Sequence, residues 1–344
     1  MKYIRTEDAA GHVLCHDITR IIPGVEKGPV FKKGHIVTEE DIPVLLSVGK
    51  ESLYVWEKQP GMLHEDEAAA ILKDICMGSS DMMSYSEPSE GKITVSAARD
   101  GLLKIKRDRL NAVNALGEMM IATIHGDFPV KKGDRVAGTR IIPLVIEESR
   151  MHQAREAAGD ETILSILPFR HMKTGIVTTG NEVAAGRIED AFGPVLRKKL
   201  SEYDTEVIGQ KILPDDRAGI TAAITDFVKK GADMVLVSGG MSVDPDDRTP
   251  GAIKDTGAEV VTYGAPVLPG AMLMLAYIKH DGKEIPIVGL PGCVMYAGRT
   301  VFDLVLPRLI AGDRISADDI SMYGEGGLCL NCRTCHFPNC GFGK

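Results

Sequence analysis

The sequence is short of several things, and each shortage narrows what the protein can be. Aromatic residues are only 5% of its 344 positions, with a single tryptophan. No long apolar run occurs: the most hydrophobic later stretch, residues 272–278, falls far below the roughly 20 residues a membrane-spanning helix needs. The opening Met1-Lys2-Tyr3-Ile4-Arg5-Thr6-Glu7 lacks the apolar core of a signal peptide, so a cytoplasmic protein without a membrane partner is expected. Basic residues are in deficit, 40 Lys and Arg against 48 Asp and Glu for a net charge of −8. Nucleic acid is therefore not expected as a partner, and an anionic ligand must be held by local donors. The usual nucleotide signatures are missing too. No G-x-G-x-x-G follows the first strand of the later α/β pattern, and no G-x-x-x-x-G-K-[ST] occurs. Cysteine is scarce in the body of the chain, because four of the seven lie in the last sixteen residues. That excludes a disulfide-stapled secreted fold and points to a local metal site in a reducing compartment.

What is present suits an ordinary globular protein, 44% hydrophobic and 26% charged, long enough for two or three domains. The pattern divides into a small α/β segment over 1–60, a β-rich unit over 61–150, a polar linker helix over 151–170, a three-layer α/β domain over 171–312 and a cysteine-rich tail over 313–344. In the first segment, Thr38-Glu39-Glu40-Asp41 reads as a helix start with Thr38 as N-cap, and residues 52–56 as a strand. His12, Cys15 and His16 have a spacing that could hold a metal, although a structural role is the simpler reading. In the second, residues 65–76 form an amphipathic helix with Ala68, Ile71, Leu72 and Ile75 on one face. Residues 92–97 and 102–105 read as a hairpin turning at Arg99-Asp100-Gly101.

From residue 175 onward strands alternate with helices, which means a mostly parallel sheet covered on both faces. Strands are expected at 175–179, 206–212, 234–238, 259–263, 272–278 and 285–290, with a last helix over 295–310. Ligands bind beyond the carboxyl ends of such strands. Four of those ends carry polar loops: Thr178-Thr179-Gly180-Asn181-Glu182, Leu213-Pro214-Asp215-Asp216, Ser238-Gly239-Gly240-Met241-Ser242 followed by Asp244, Asp246 and Asp247, and Leu290-Pro291-Gly292. Hydroxyls, glycine N–H groups and carboxylates on one edge suit a phosphorylated ligand held partly through a divalent cation. Cys293, with no histidine near it in sequence, reads as structural.

Taken in order and with their separations, these pieces resemble the molybdopterin-binding domain of molybdenum-cofactor biosynthesis proteins over about residues 174–312. The carrying motifs are Thr178 to Glu182, Pro214-Asp215-Asp216, Ser238 to Ser242 with Asp247-Arg248-Thr249-Pro250, and Leu290-Pro291-Gly292. The resemblance implies a three-layer domain of molybdopterin-binding type, preceded by smaller α/β and β-rich units. It implies that Thr178, Thr179, Gly180, Asn181, Glu182, Ser238, Gly239, Gly240, Ser242, Pro291 and Gly292 hold molybdopterin or its adenylate. Asp215 and Asp247 would be the acidic residues of molybdate insertion, with Mg²⁺ as helper ion. Homo-oligomers are common in that family. Residues 6–14 and 31–49 are similar to pieces of its molybdenumtransferase members. Their Met-Asp-Gly-Tyr-Ala loop is absent here, and Asn181 stands where aspartate is usual. Two readings follow: an enzyme that inserts molybdate, or a non-catalytic protein that binds, delivers or senses the cofactor, in contact with other biosynthesis proteins or a molybdoenzyme. A nucleotide-pyrophosphate hydrolase on a related fold is a third.

Cys329, Cys332, Cys335 and Cys340 give C-x2-C-x2-C-x4-C. Thiolates this close can share one metal centre, an iron–sulfur cluster or Zn²⁺. His336 is a possible substitute ligand.

Overall fold

The computed structural model describes residues 2–22, 26–55, 60–242, 244–245 and 247–344. The chain divides into two compact units. The first comprises Met1–Arg99, Ile105–Ile124 and Lys132–Ser165, the second Asp100–Lys104, His125–Lys131 and Ile166–Lys344.

In the first unit, strand Lys2–Arg5 pairs antiparallel with Ser52–Val55, and Ile18–Ile22 with Glu26–Phe31. Leu14, Ile18, Leu45 and Leu53 form a small core there. The adjoining helix is Asp41–Ser47 and is not capped by Thr38. Instead the Thr38 backbone N–H donates to the Asp41 carboxylate at 2.8 Å, which also meets His35 Nε2 at 2.7 Å. The acid expected in the first turn thus ties down the residues before the helix. The strand expected over 52–56 runs Ser52–Val55, and Trp56 lies outside the described residues.

Helix Glu65–Met77 buries Ala68, Leu72 and Ile75 against a sheet in the order Met83–Tyr85, Lys92–Ala97, Arg135–Ile141, Met119–Thr123. The expected hairpin over 92–105 does not form. Lys92–Ala97 joins that sheet, whereas Gly101–Ile105 pairs with Pro129–Val130 in another. Burial explains the separation. Residues 92–97 alternate exposed and buried as a one-sided sheet requires, while Gly101, Leu102 and Leu103 are buried in succession, which fits a strand covered on both faces.

The second unit is built on a six-stranded sheet: β1 (Met172–Thr179), β2 (Thr205–Leu213), β3 (Met234–Ser238), β4 (Glu259–Tyr263), β5 (Met274–His280) and β6 (Lys283–Leu290). Its order is β2-β1-β3-β6-β5-β4. The pairs β1–β2, β1–β3 and β3–β6 are parallel, and β5 runs antiparallel between β6 and β4. Alternate residues of β3 feed two cores. Met234 and Leu236 pack with Leu196, Phe302 and Val305, while Val235 and Val237 pack with Ile220, Ile224 and Ile253. Helices α1 (Phe192–Leu200) and α4 (Val301–Ile310) therefore cover one face, and α2 (Arg217–Lys229) and α3 (Thr249–Asp255) the other. This is the three-layer, mostly parallel α/β architecture that the alternation predicts.

One boundary differs. The helix expected over 295–310 splits into a 3-10 turn, Gly292–Met295, and α4. The Thr300 hydroxyl accepts the Phe302 N–H at 3.2 Å, and the Asp303 carboxylate accepts the Thr300 N–H at 2.8 Å. This reciprocal cap starts the helix afresh. Asp303 also takes Lys199 of α1 at 2.7 and 2.8 Å and Arg299 at 2.8 Å. Lys199 reaches on to the Gly298 carbonyl at 3.2 Å, which pins the 292–300 turn to α1.

Candidate functional site

Because β1, β2, β3 and β6 are parallel, their carboxyl ends share one edge, and a cavity of about 510 Å³ opens beside it. Of the residues that sequence singles out, Thr179, Gly180, Glu182, Asp215, Gly240 and Asp247 line this cavity. The structure brings together residues up to 68 positions apart, 179 to 247, by returning three strands to the same edge.

The floor is tightly built. Gly239 and Gly240 follow β3 with φ of +92° and +56°, and a Cβ on Gly239 would lie 2.2 Å from the Thr179 carbonyl oxygen. Only glycine lets the two strand ends approach this closely. A Cβ on Gly240 would stand 3.0 Å from Thr249 Oγ1 and 3.3 Å from both Asp215 Oδ1 and Thr179 Oγ1. Thr249, the first residue of α3, locks the turn: its hydroxyl donates to the Gly239 carbonyl at 2.8 Å, and its N–H to the Gly240 carbonyl at 3.2 Å. Asp215 and Asn181 hold each other reciprocally. The Asn181 N–H donates to Asp215 Oδ2 at 3.1 Å, and the Asp215 N–H donates to Asn181 Oδ1 at 3.2 Å. Asp215 Oδ1 is left buried with no hydrogen-bond partner among the described residues. A buried lone carboxylate oxygen is costly unless something charged meets it.

The neighbouring Asp216 has a different task. Its carboxylate accepts the Gly219 N–H at 2.7 Å and caps α2. Asp247 accepts the Asp244 N–H at 3.1 Å, closing a small turn on the cavity rim. Asp246, between them, lies outside the described residues.

Five sequence-selected residues are placed otherwise. Thr178 is buried, its hydroxyl accepting from Gln210 Nε2 at 3.0 Å. Ser238 is fully buried, and its hydroxyl has no partner among the described residues. Ser242 is exposed past the strand end, and Gly292 opens the 3-10 turn behind buried Pro291. That turn reaches the cavity through Met295 instead. Burial raises the Cys293 thiol above its usual range, in keeping with a structural cysteine.

Sequence reasoning passed over several contributors. Gln210 links Thr178 to Asp190, whose Oδ1 accepts the Phe192 and Gly193 N–H groups at the start of α1. Tyr263 donates its hydroxyl to the Met241 carbonyl at 3.0 Å, fastening the acidic loop to β4. Burial, and then the nearby Asp247 charge, raise the pKa of that phenol. Val183, Ile188, Phe192 and Met295 make the cavity's apolar wall. No local signal marks Gln210 or Tyr263, whose partners are distant in the chain, whereas Asp190 stands two and three residues before the N–H groups it accepts, an ordinary helix-start signal.

The charge balance of the cavity is one-sided. Glu182, Glu189, Asp215, Asp244 and Asp247 line it, with no Lys, Arg or His among the described lining residues. Even so, no group of three or more His, Cys, Asp or Glu among the described residues is gathered to hold a metal ion. That includes the tail. Cys329 and Cys340 are half-buried, Cys332 and Cys335 exposed, and all four are free thiols. It also includes the His12, Cys15, His16 group: Cys15 is buried, with burial pushing its thiol up to about 11, and its carbonyl meets His64 Nε2 at 2.6 Å.

These features define an α/β domain with an acidic cavity at its strand ends, and its sequence places it further. Residues 175–311 match the family described as a probable molybdopterin binding domain, and residues 3–57 match a domain of unknown function. The former segment carries the chain's likeness to proteins of molybdenum-cofactor biosynthesis. A molybdenum cofactor biosynthesis bifunctional protein of Synechococcus elongatus is 35% identical over 145 residues, covering 40% of this chain and 46% of that protein. A molybdopterin adenylyltransferase of Pyrococcus furiosus is 33% identical over 92 residues, 27% of this chain and 54% of that one. A molybdopterin molybdenumtransferase of Synechococcus elongatus is 26% identical over 163 residues, 45% and 38%. The chain thus spans about half the length, or less, of these relatives. Among the described residues no helix is long and apolar enough to cross a membrane.

Proposed function

We propose that the strand-end cavity binds molybdopterin or its adenylate and that the protein inserts molybdate into it. The observation that carries this reading is the lining: five carboxylates and no basic side chain among the described residues, in a domain that matches a molybdopterin-binding family. An anionic pterin phosphate and an oxyanion can meet there only if their charge is offset. Mg²⁺ fits the donor set, since Asp215 offers a buried, unpartnered Oδ1 and Asp247 lies on the same cavity. These two residues would hold it, and bound there it supplies the positive charge that like-charged reactants need.

The chain's own groups do the rest. The reciprocal Asn181–Asp215 pair fixes the carboxylate before any ligand arrives, so no reorganisation is needed on binding. Gly239 and Gly240 let the phosphate approach the backbone closely. Val183, Ile188, Phe192 and Met295 offer an apolar surface to the pterin and exclude water around it. Thr178, Thr179, Gly180, Glu182, Ser238, Ser242, Pro291 and Gly292 belong to the same binding reading, as floor or supporting shell. Assembly as a homo-oligomer in the cytoplasm and hand-over to a molybdoenzyme complete it.

The test is a molybdate-insertion assay with purified protein, adenylylated molybdopterin, molybdate and Mg²⁺. Active cofactor should form, and Asp247→Ala should abolish turnover while keeping the fold. Normal turnover by that variant refutes the assignment of Asp247. Tight pterin binding without insertion by the wild type assigns the protein to cofactor binding and delivery.

A further inference from the structure

The C-terminal segment lies outside the cavity, and its anchoring is uneven. At its start, the Gly327 carbonyl accepts the Leu268 N–H at 2.8 Å, and the Cys329 N–H donates to the Leu268 carbonyl at 2.8 Å. At its end, the Gly343 N–H returns to the Gly326 carbonyl at 2.9 Å, closing the segment into a loop. Phe337 packs between Phe128 and Phe342, with ring centroids 5.7 and 6.1 Å apart, and the Arg299 guanidinium lies 5.0 Å from its centroid. Cys329, Phe337 and Cys340 all pack against the same apolar core. Between these anchors the arc over 330–335 makes no hydrogen bond among the described residues. It exposes Leu330 at 80% and both Cys332 and Cys335.

Ordering one residue costs roughly 1–2 kcal/mol in backbone entropy, and no hydrogen bond among the described residues offsets that over the arc. The thiols are distributed accordingly: one beside each anchor, half-buried and fixed, and two on the unheld arc. Two fixed and two adjustable ligands, spaced C-x2-C-x2-C-x4-C, suit a thiolate centre that forms on metal binding. We propose that residues 329–340 form a four-thiolate site for a soft metal centre. Cys329 and Cys340 are its preplaced ligands, and Cys332 and Cys335 are brought in by closure of the arc. Each thiol releases its proton to solvent as it becomes a ligand, so metal affinity falls with falling pH. The site stands independently of the cofactor reading.

The full chain, stripped of metal under reducing anaerobic conditions, is divided between two probes. One portion is titrated with Co²⁺, and the other is reconstituted with ferric iron and sulfide, the thiol reductant in solution supplying the electrons that bring part of the iron to the ferrous state. Either the intense thiolate-to-cobalt absorption of a tetrahedral site, displaced by Zn²⁺, or the broad visible absorption of a cluster should appear at one centre per chain. The signal should vanish in Cys332→Ser/Cys335→Ser, whose exposed substitutions leave the circular dichroism unchanged. Whichever probe fills the site identifies the centre. Absence of both signals, or an unchanged signal in the double variant, overturns the proposal.

Discussion

Two adjacent glycines should respond to the same substitution in opposite ways. At Gly239 a methyl group would sit 2.2 Å from the Thr179 carbonyl oxygen and 2.7 Å from its hydroxyl, on backbone at φ +92°. The conformation alone costs about 1–2 kcal/mol for an L-residue. Overpacking against backbone that cannot yield adds about 1–3 kcal/mol. Gly239→Ala should therefore destabilise the second unit by about 2–5 kcal/mol, which for a unit of this size lowers its melting temperature by on the order of 10 °C. At Gly240 the nearest atoms are side-chain oxygens at 3.0–3.3 Å, so the conformational cost of about 1–2 kcal/mol dominates. That methyl group would, however, cover Asp215 Oδ1. Gly240→Ala should accordingly keep most stability and lose pterin affinity. Thermal unfolding by circular dichroism, paired with pterin binding by fluorescence, separates the two. A Gly239→Ala protein as stable as wild type would refute the close approach of β1 and β3 on which the cavity rests.

Three further outcomes are expected. Asp216→Ala should cost about 1 kcal/mol through the lost cap of α2 and leave pterin affinity unchanged; a change in affinity would place Asp216 in the site. Lys199→Met should destabilise by about 1–3 kcal/mol, because it removes one of the two cations that meet the buried Asp303 carboxylate, as urea titration would report; an unchanged midpoint would show that Arg299 suffices alone. Glu65 is held neutral up to about 7, first by burial and then by the Asp66 charge. The folded state then binds a proton that the unfolded state has released, so stability declines as pH rises from the ordinary carboxylate range to about 7. Glu65→Gln should flatten that part of the profile, and an unaltered slope would place the titration elsewhere.

Much of the second unit was legible from local pattern. Runs such as Val235 to Val237 are apolar on both faces, and each ends in glycine or acid, so parallel strands and the edge they share follow from periodicity and turn chemistry alone. The paired roles of Asp215 and Asp216 were not legible: adjacent acids look alike in sequence, yet one faces the cavity and the other caps a helix. The hairpin over 92–105 failed because a turn signal says nothing about which sheet the next strand joins. Gln210 and Tyr263 act by long-range hydrogen bonds that leave no local trace. Likewise the cysteine spacing places four thiols close in sequence, without showing that two are anchored and two are not.

The Arg299 guanidinium belongs to two neighbourhoods at once. It stacks on Phe337 of the tail and pairs with Asp303, which shares Lys199 with the turn leading back to Met295 on the cavity wall. With the proposed pterin and thiolate sites both filled, the two form a thermodynamic cycle, in which whatever factor one ligand imposes on the other is returned in full. Pterin affinity measured on metal-filled and metal-free chains should thus differ by the same factor as metal affinity measured with and without pterin. The thiol state of a preparation then becomes a variable of every cofactor measurement, to be fixed before two affinities are compared.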